Sequence, residues 1–161
     1  MTWERTAGAS SAAPPARVWE VLLDGLRWSA WFRGVEWMVV EGALRPGQLV
    51  TMKPRRAPQT AFRIEAVVPQ RLLALVLTFG PLAALRFRWE LSPEFGGTTI
   101  VQTIEIGGPL AGLLLRRAAT RIADGMPANL ERLAVRAAAP DPEAEKSAVV
   151  AGRAEDRTND D

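Results

Sequence analysis

The 161-residue chain contains no cysteine, no histidine and no tyrosine. Disulfides and thiolate metal sites are therefore excluded, and the commonest metal ligand and general base is missing. Carboxylates alone can hold hard cations, but no group of Asp and Glu falls at ligand spacing, so neither metal nor cofactor is expected. Lysine is scarce as well: Lys53 and Lys146 are the only two, and arginine supplies the remaining basic side chains. Little besides the terminal amine can then titrate between about pH 5 and 10. The sequence pI of 9.9 overstates how basic the surface is. No apolar run approaches the ~20 residues of a membrane span, and the first residues show no basic segment leading into an apolar core. A cytoplasmic protein is the expectation.

What charge there is lies unevenly. Residues 137–161 hold seven acids and three bases, so against +2 for the whole chain the first 136 residues carry +6. Past Arg136 the composition is Ala, Pro, Asp, Glu and small polar residues, which cannot bury enough apolar area to offset the entropy of ordering. The reading is one domain over residues 1–136 followed by an acidic, disordered tail, in which Glu143–Val150 is the one stretch with short-helix character. No basic run is interleaved with stacking aromatics, so the arginines read as a solvated surface and no nucleic-acid partner is expected.

Along the chain, Thr2–Ser10 reads as an edge strand. Pro14-Pro15 opens a helix over Pro15–Leu23 with Val18, Trp19, Leu22 and Leu23 on one face, closed by Asp24-Gly25. Leu26–Phe32 reads as a second short helix whose Trp28, Trp31 and Phe32 form a hydrophobic plug. From Val35 the period changes. Six strands are predicted at Val35–Glu41, Leu49–Lys53, Ala61–Val67, Leu72–Phe79, Ala84–Leu91 and Thr99–Ile106, with Gly- and Pro-rich turns between them, and their short spacings favour an antiparallel meander. Phe62 and Ile64 alternate with Arg63 and Glu65. Leu85, Phe87, Trp89 and Leu91 alternate with Arg86, Arg88 and Glu90, and Ile100, Gln102, Ile104 and Ile106 form the inward row of the last strand. Leu72–Leu77 is apolar on both faces, so its register is not readable.

Gly107-Gly108-Pro109 then leads into an apolar-periodic stretch ending near Arg136, predicted as one continuous helix spanning roughly 42 Å. Leu110, Leu114, Ala118, Ile122, Met126, Leu130 and Leu133 are expected to trace its inner stripe. Pro127 should bend it. A curved sheet is the natural cover for such a face.

These elements in this order resemble the START/Bet v 1-like (SRPBCC) superfamily, in particular its bacterial polyketide cyclase/dehydrase-like and lipid-transport-like branch. The residues that carry the resemblance are Pro15-Ala-Arg-Val18-Trp19 with Asp24, Trp28 and Trp31; Gly42-Ala-Leu-Arg-Pro-Gly47; Phe62-Arg-Ile64 through Pro69; Phe87 to Leu91 before Gly97-Thr98; and Gly108-Pro-Leu110 with Gly125-Met-Pro127 and Leu130-Glu-Arg-Leu133. The resemblance implies an α+β helix-grip fold: a seven-stranded curved antiparallel sheet around a long C-terminal helix, with two short helices after the first strand. It also implies an apolar cavity between sheet and helix that takes lipids, sterols or polyketide-like compounds.

On that frame Trp37, Phe62, Phe87 and Trp89 set the cavity's cross-section, with Ile64, Ile104, Leu114, Ala118, Ile122 and Met126 completing an apolar ligand surface. Gln102 or Arg121 would anchor a polar group of the ligand. Enzymes of this fold usually carry histidine or tyrosine in the cavity, which this chain lacks. Any acid–base chemistry would have to come from Glu, Asp, Arg or bound water. Glu36 and Glu41 in the first meander strand are the acids expected nearest the cavity mouth, and an enzyme would use Glu41, or an arginine with water. The expectation is therefore binding or transport of a hydrophobic small molecule without catalysis. A cyclase or dehydratase acting on polyketide-type substrates is the alternative, and a co-chaperone-like interaction module with a filled interior is a third reading. Gly107–Leu115 is also the segment that could touch a membrane transiently. Oligomeric state is not readable.

Overall fold

The computed structural model describes residues 2–140. Seven strands, β1 (Trp3–Ser11), β2 (Val35–Val40), β3 (Leu49–Pro54), β4 (Thr60–Val68), β5 (Leu72–Phe79), β6 (Ala83–Glu94) and β7 (Gly97–Gly107), form one curled sheet in the order β1-β7-β6-β5-β4-β3-β2. Every neighbouring pair is antiparallel. Alternation fixes the faces. Along β6, Leu85, Phe87, Trp89 and Leu91 are buried, while Arg86, Arg88 and Glu90 line the outside; along β7 every second residue from Thr98 to Ile106 is buried. On the outer face Arg86 bridges Glu65 at 3.0 Å and Glu105 at 3.7 Å, tying β4, β6 and β7. In β5, Leu73 and Leu75 pair across from Trp89 and Phe87 and face inward with them.

The helix α1 (Pro15–Leu23) begins with proline at its first position, where the missing N–H costs nothing, and buries Val18, Trp19, Val21 and Leu22. The second short helix is a 3₁₀ segment over Gly25–Ala30, with non-helical geometry at Arg27. Gly25 is required there: a Cβ on it would stand 1.9 Å from the carbonyl oxygen of Met38, so only glycine lets this segment lie directly against β2.

The C-terminal stretch is not one helix. It divides into α2 (Ala111–Leu114) and α3 (Arg116–Ala138), separated at Leu115, whose φ of −119° leaves the helical range. At 1.5 Å per residue, the 23 residues of α3 span about 35 Å. It runs past Arg136 to Ala138. Pro127 lies inside α3 without ending it. α3 packs on β1, β7 and α1. Ser11 Oγ donates to the carbonyl of Ala134 at 2.7 Å in the buried contact between β1 and α3. The acidic stretch from Asp141 onward, and the short helix considered at Glu143–Val150, lie outside the described residues.

The buried stripe of the C-terminal segment is Ala111, Leu115, Ala119, Ala123, Met126, Leu130, Leu133 and Ala137. Its N-terminal half therefore stands one residue out of step with the expected one. Five successive steps of four residues rotate by about 40° each beyond full turns, so that set could not stay on one side of a straight helix. Leu114 and Ala118 are exposed, Ile122 is partly buried against the core, and Met126 is where the two stripes meet.

Candidate functional site

The concave side of the sheet is filled by rings. Phe62 on β4 lies 5.5 Å from Phe87 on β6, Phe87 stacks on Trp89 at 5.9 Å, and the edge of Trp89 meets Trp28 at 5.5 Å. Trp28 continues the chain of contacts to Trp31 at 5.1 Å and Phe32 at 5.7 Å. All six rings are buried. The aromatic triplet of the 3₁₀ segment thus plugs the hollow of the sheet, its position set by the indole N–H of Trp28 donating to the carbonyl of Leu22 at 2.8 Å.

Within this apolar packing stand polar atoms with no partner. The side chain of Gln102 is completely buried, and neither its Oε1 nor its Nε2 makes a hydrogen bond. The indole N–H groups of Trp89 and Trp31 are likewise buried and unpaired. In the strand register Gln102 sits directly between Trp89 on β6 and Ala7 on β1, so its side chain shares the inner face with the Trp89 ring. Trp28 touches both tryptophans whose nitrogens are unpaired. A buried amide in this condition costs free energy that a hydrogen-bonding group placed between these residues would recover.

Of the residues expected to line the site, Phe62, Ile64, Phe87, Trp89, Gln102, Ile104 and Met126 meet in this interior. Trp37 does not. It was expected to set the cavity's cross-section, but a bulge between Val35 and Trp37 shifts the register, so Met38 turns inward and Trp37 stands partly buried outside the core cluster. Leu114 and Ala118 are outside for the helical reason given above. Arg121 is exposed and makes no hydrogen bond to the buried amide. Glu36 and Glu41 are exposed on or just after β2, and Glu41 accepts a hydrogen bond from Thr51 Oγ1 at 3.2 Å. The indole nitrogens of Trp31 and Trp89 are the polar groups that sequence reasoning missed. Both rings were read as apolar bulk, and only the structure shows where their N–H groups end.

Two clefts open elsewhere, at the C-terminal end of α3. One, of about 390 Å³, is lined by Ala30, Glu131, Arg132, Val135, Arg136 and Ala139; a smaller one, of about 260 Å³, lies between α1 and the end of α3. Beside the first, the Arg132 guanidinium is tied down by donating to the carbonyl of Trp31 at 3.1 Å and to Oδ1 of buried Asn129. Desolvation, and then the positive charge of Arg33, hold its pKa below the usual arginine range. Neither cleft lies between sheet and helix. Among the described residues no group of three or more carboxylates could hold a metal ion, and no helix is long and apolar enough to cross a membrane.

Comparison with known families matches residues 3–138 to the family described as polyketide cyclase/dehydrase and lipid transport. The chain belongs to that family. Three solved structures share this fold across nearly their whole length. The ZhuI aromatase/cyclase from Streptomyces sp. R1128 is 20% identical, with a TM-score of 0.64 over 85% of this chain and 94% of that one. Ara h 8.0201 is 13% identical, with a TM-score of 0.63 over 85% of this chain and 98% of its own. TTHA0849 from Thermus thermophilus is 20% identical, with a TM-score of 0.60 over 84% and 97%. At these identities the likeness is one of fold. No curated protein matches the sequence.

Proposed function

We propose that the protein binds or carries a hydrophobic small molecule, of lipid, sterol or polyketide-like chemistry, between the concave sheet face and α3, and that it does so without catalysis. The observation that carries this reading is the unpaired, fully buried amide of Gln102, sharing the inner face with Trp89, together with the buried, unpaired indole nitrogens of Trp89 and Trp31. One acceptor and three donor groups, an amide NH2 and two indole N–H, among aromatic walls suit a ligand that is apolar over most of its surface and bears a hydroxyl or carbonyl at one point. Admission of such a ligand requires the ring plug to part. The 3₁₀ segment is the element to move, because its helical geometry is already broken at Arg27 and two of the plugging indoles ride on it. The family's association with lipid transport and polyketide compounds supports the same class of ligand.

Native mass spectrometry of protein purified from its host, followed by solvent extraction, tests the reading. A co-purifying apolar compound supports it. Protein that carries nothing and ignores supplied lipids and polyketides would point to the second reading, an interaction module with a filled interior, which the continuous ring packing favours. A cyclase or dehydratase reading has less to stand on, because Glu41 lies on the outside of the sheet rather than among the buried rings.

A further inference from the structure

One surface feature is independent of the interior. α2 buries only Ala111 and turns its leucines outward: Leu113 is 83% exposed and Leu114 52%, with Leu110 at 39% and Leu82, on the adjoining β5–β6 turn, at 46%. Scattered exposed leucines are ordinary, but these are joined. The N–H of Leu110 donates to the carbonyl of Leu82 at 3.0 Å, and Gly108, at a φ of +109°, brings the two segments so close that a Cβ there would stand 2.6 Å from the same carbonyl. Phe79 extends the patch along the turn. Folding makes no use of these side chains, yet it fixes them together as one convex knuckle.

Its electrostatics are one-sided. From Gly107 to Ala123 the chain has three arginines and no acid, and the β5–β6 turn carries no charge. Arg117 and Arg121 are exposed on α3 beyond Leu113 and Leu114, and Arg116 lies over the Trp3 ring at 5.7 Å. The nearest acids along the chain on either side, Glu105 and Asp124, are in ion pairs with Arg86 and Arg5.

We propose that this knuckle docks the protein on an anionic phospholipid surface, the leucines entering the headgroup–acyl boundary while Arg117 and Arg121 meet the phosphates. A bilayer accepts a convex apolar projection of unspecific shape, and its negative surface complements the arginines. A second copy of the chain would instead bring two positive rims together.

The experiment is co-sedimentation of the full chain with phosphatidylcholine vesicles and with vesicles that also contain phosphatidylglycerol. Binding is expected to the mixed vesicles and to weaken as salt is raised, since the Debye length falls from about 10 Å at 0.1 M to about 3 Å at 1 M. Leu113→Glu should cut binding at least about tenfold, the loss expected from withdrawing one leucine from an apolar phase. Arg117→Gln should reduce the preference for anionic vesicles. Phe95→Glu, at a fully exposed apolar residue on the β6–β7 turn, is the control and should bind as the parent does. Circular dichroism confirms that each variant is folded. The proposal is overturned if Leu113→Glu and Phe95→Glu bind alike, if both vesicle types bind equally at every salt concentration, or if sedimentation equilibrium shows a dimer that Leu113→Glu dissolves. None of these outcomes depends on whether the interior holds a ligand.

Discussion

Replacing Gln102 with leucine tests the interior site most directly, because it asks one residue to give opposite answers in two assays. The change removes both unpaired polar atoms and keeps most of the side-chain volume. Burying an amide without partners costs about 1–3 kcal/mol on protein mutational scales, so ligand-free Gln102→Leu should be more stable than the parent by about that amount. For a chain of 161 residues each kcal/mol moves Tm by about 2–4 °C, giving an expected rise of about 2–12 °C in thermal unfolding followed by far-UV circular dichroism. In the second assay, displacement of a fluorescent apolar probe by a hydroxylated lipid, the same variant should bind about tenfold or more weakly, because the ligand's polar group is then the one left unpaired. A fall in Tm would refute the reasoning, since it would mean that the amide has partners in solution. A rise in Tm with unchanged lipid affinity would leave the amide unpaired but remove it from the ligand's recognition.

Other expectations follow from specific contacts. Gly25→Ala should destabilise the fold by at least about 2 kcal/mol in urea titration, because its Cβ would meet the carbonyl of Met38 at 1.9 Å and the backbone of β2 cannot yield cheaply. Trp28→Ala should cost about 3–5 kcal/mol, since it removes the ring that joins the 3₁₀ segment to the sheet; a loss below about 1 kcal/mol would show that the plug is not part of the core. Arg121→Gln should leave stability unchanged within about 0.5 kcal/mol, and leave displacement of the interior probe by a hydroxylated lipid unchanged, as its exposure requires, while weakening docking on anionic vesicles. Arg33→Gln should raise stability slightly at low salt and lose that effect at high salt. The charge of Arg33 works against the protonated form of partly desolvated Arg132, so removing it relieves a repulsion that salt also screens.

The sheet was legible where alternation ran without interruption. β6 and β7 read correctly because large apolar side chains alternate with charged ones in β6 and isoleucines recur at every second or fourth position in β7, and a pleated strand buries one such set and turns the other out. Trp37 was misplaced because a one-residue bulge leaves no mark in composition, yet reverses the face of everything after it. The C-terminal stripe slipped for a related reason. Leucines are frequent enough between Leu110 and Leu115 that two registers fit equally well, and the sequence carries no glycine or proline at Leu115 to announce the break. As for the site, Gln102 stood out as a lone amide in an apolar row. Trp31 and Trp89 did not, because an indole's donor is silent in a hydrophobicity pattern and only its three-dimensional surroundings decide whether it is met.

The pairing of β1 with β7 carries a consequence for the chain as it is made. Trp3 finds its neighbour in Ile106 and Ser11 in Thr98, so the first strand has nothing to pair with until close to ninety residues have followed it. At about 5–20 residues per second on a ribosome, that segment waits roughly 5–20 seconds with its edge bare. A messenger cut short anywhere before β7 therefore yields a product whose opening strand never closes, and the lesion would surface as aggregation rather than as a smaller folded protein.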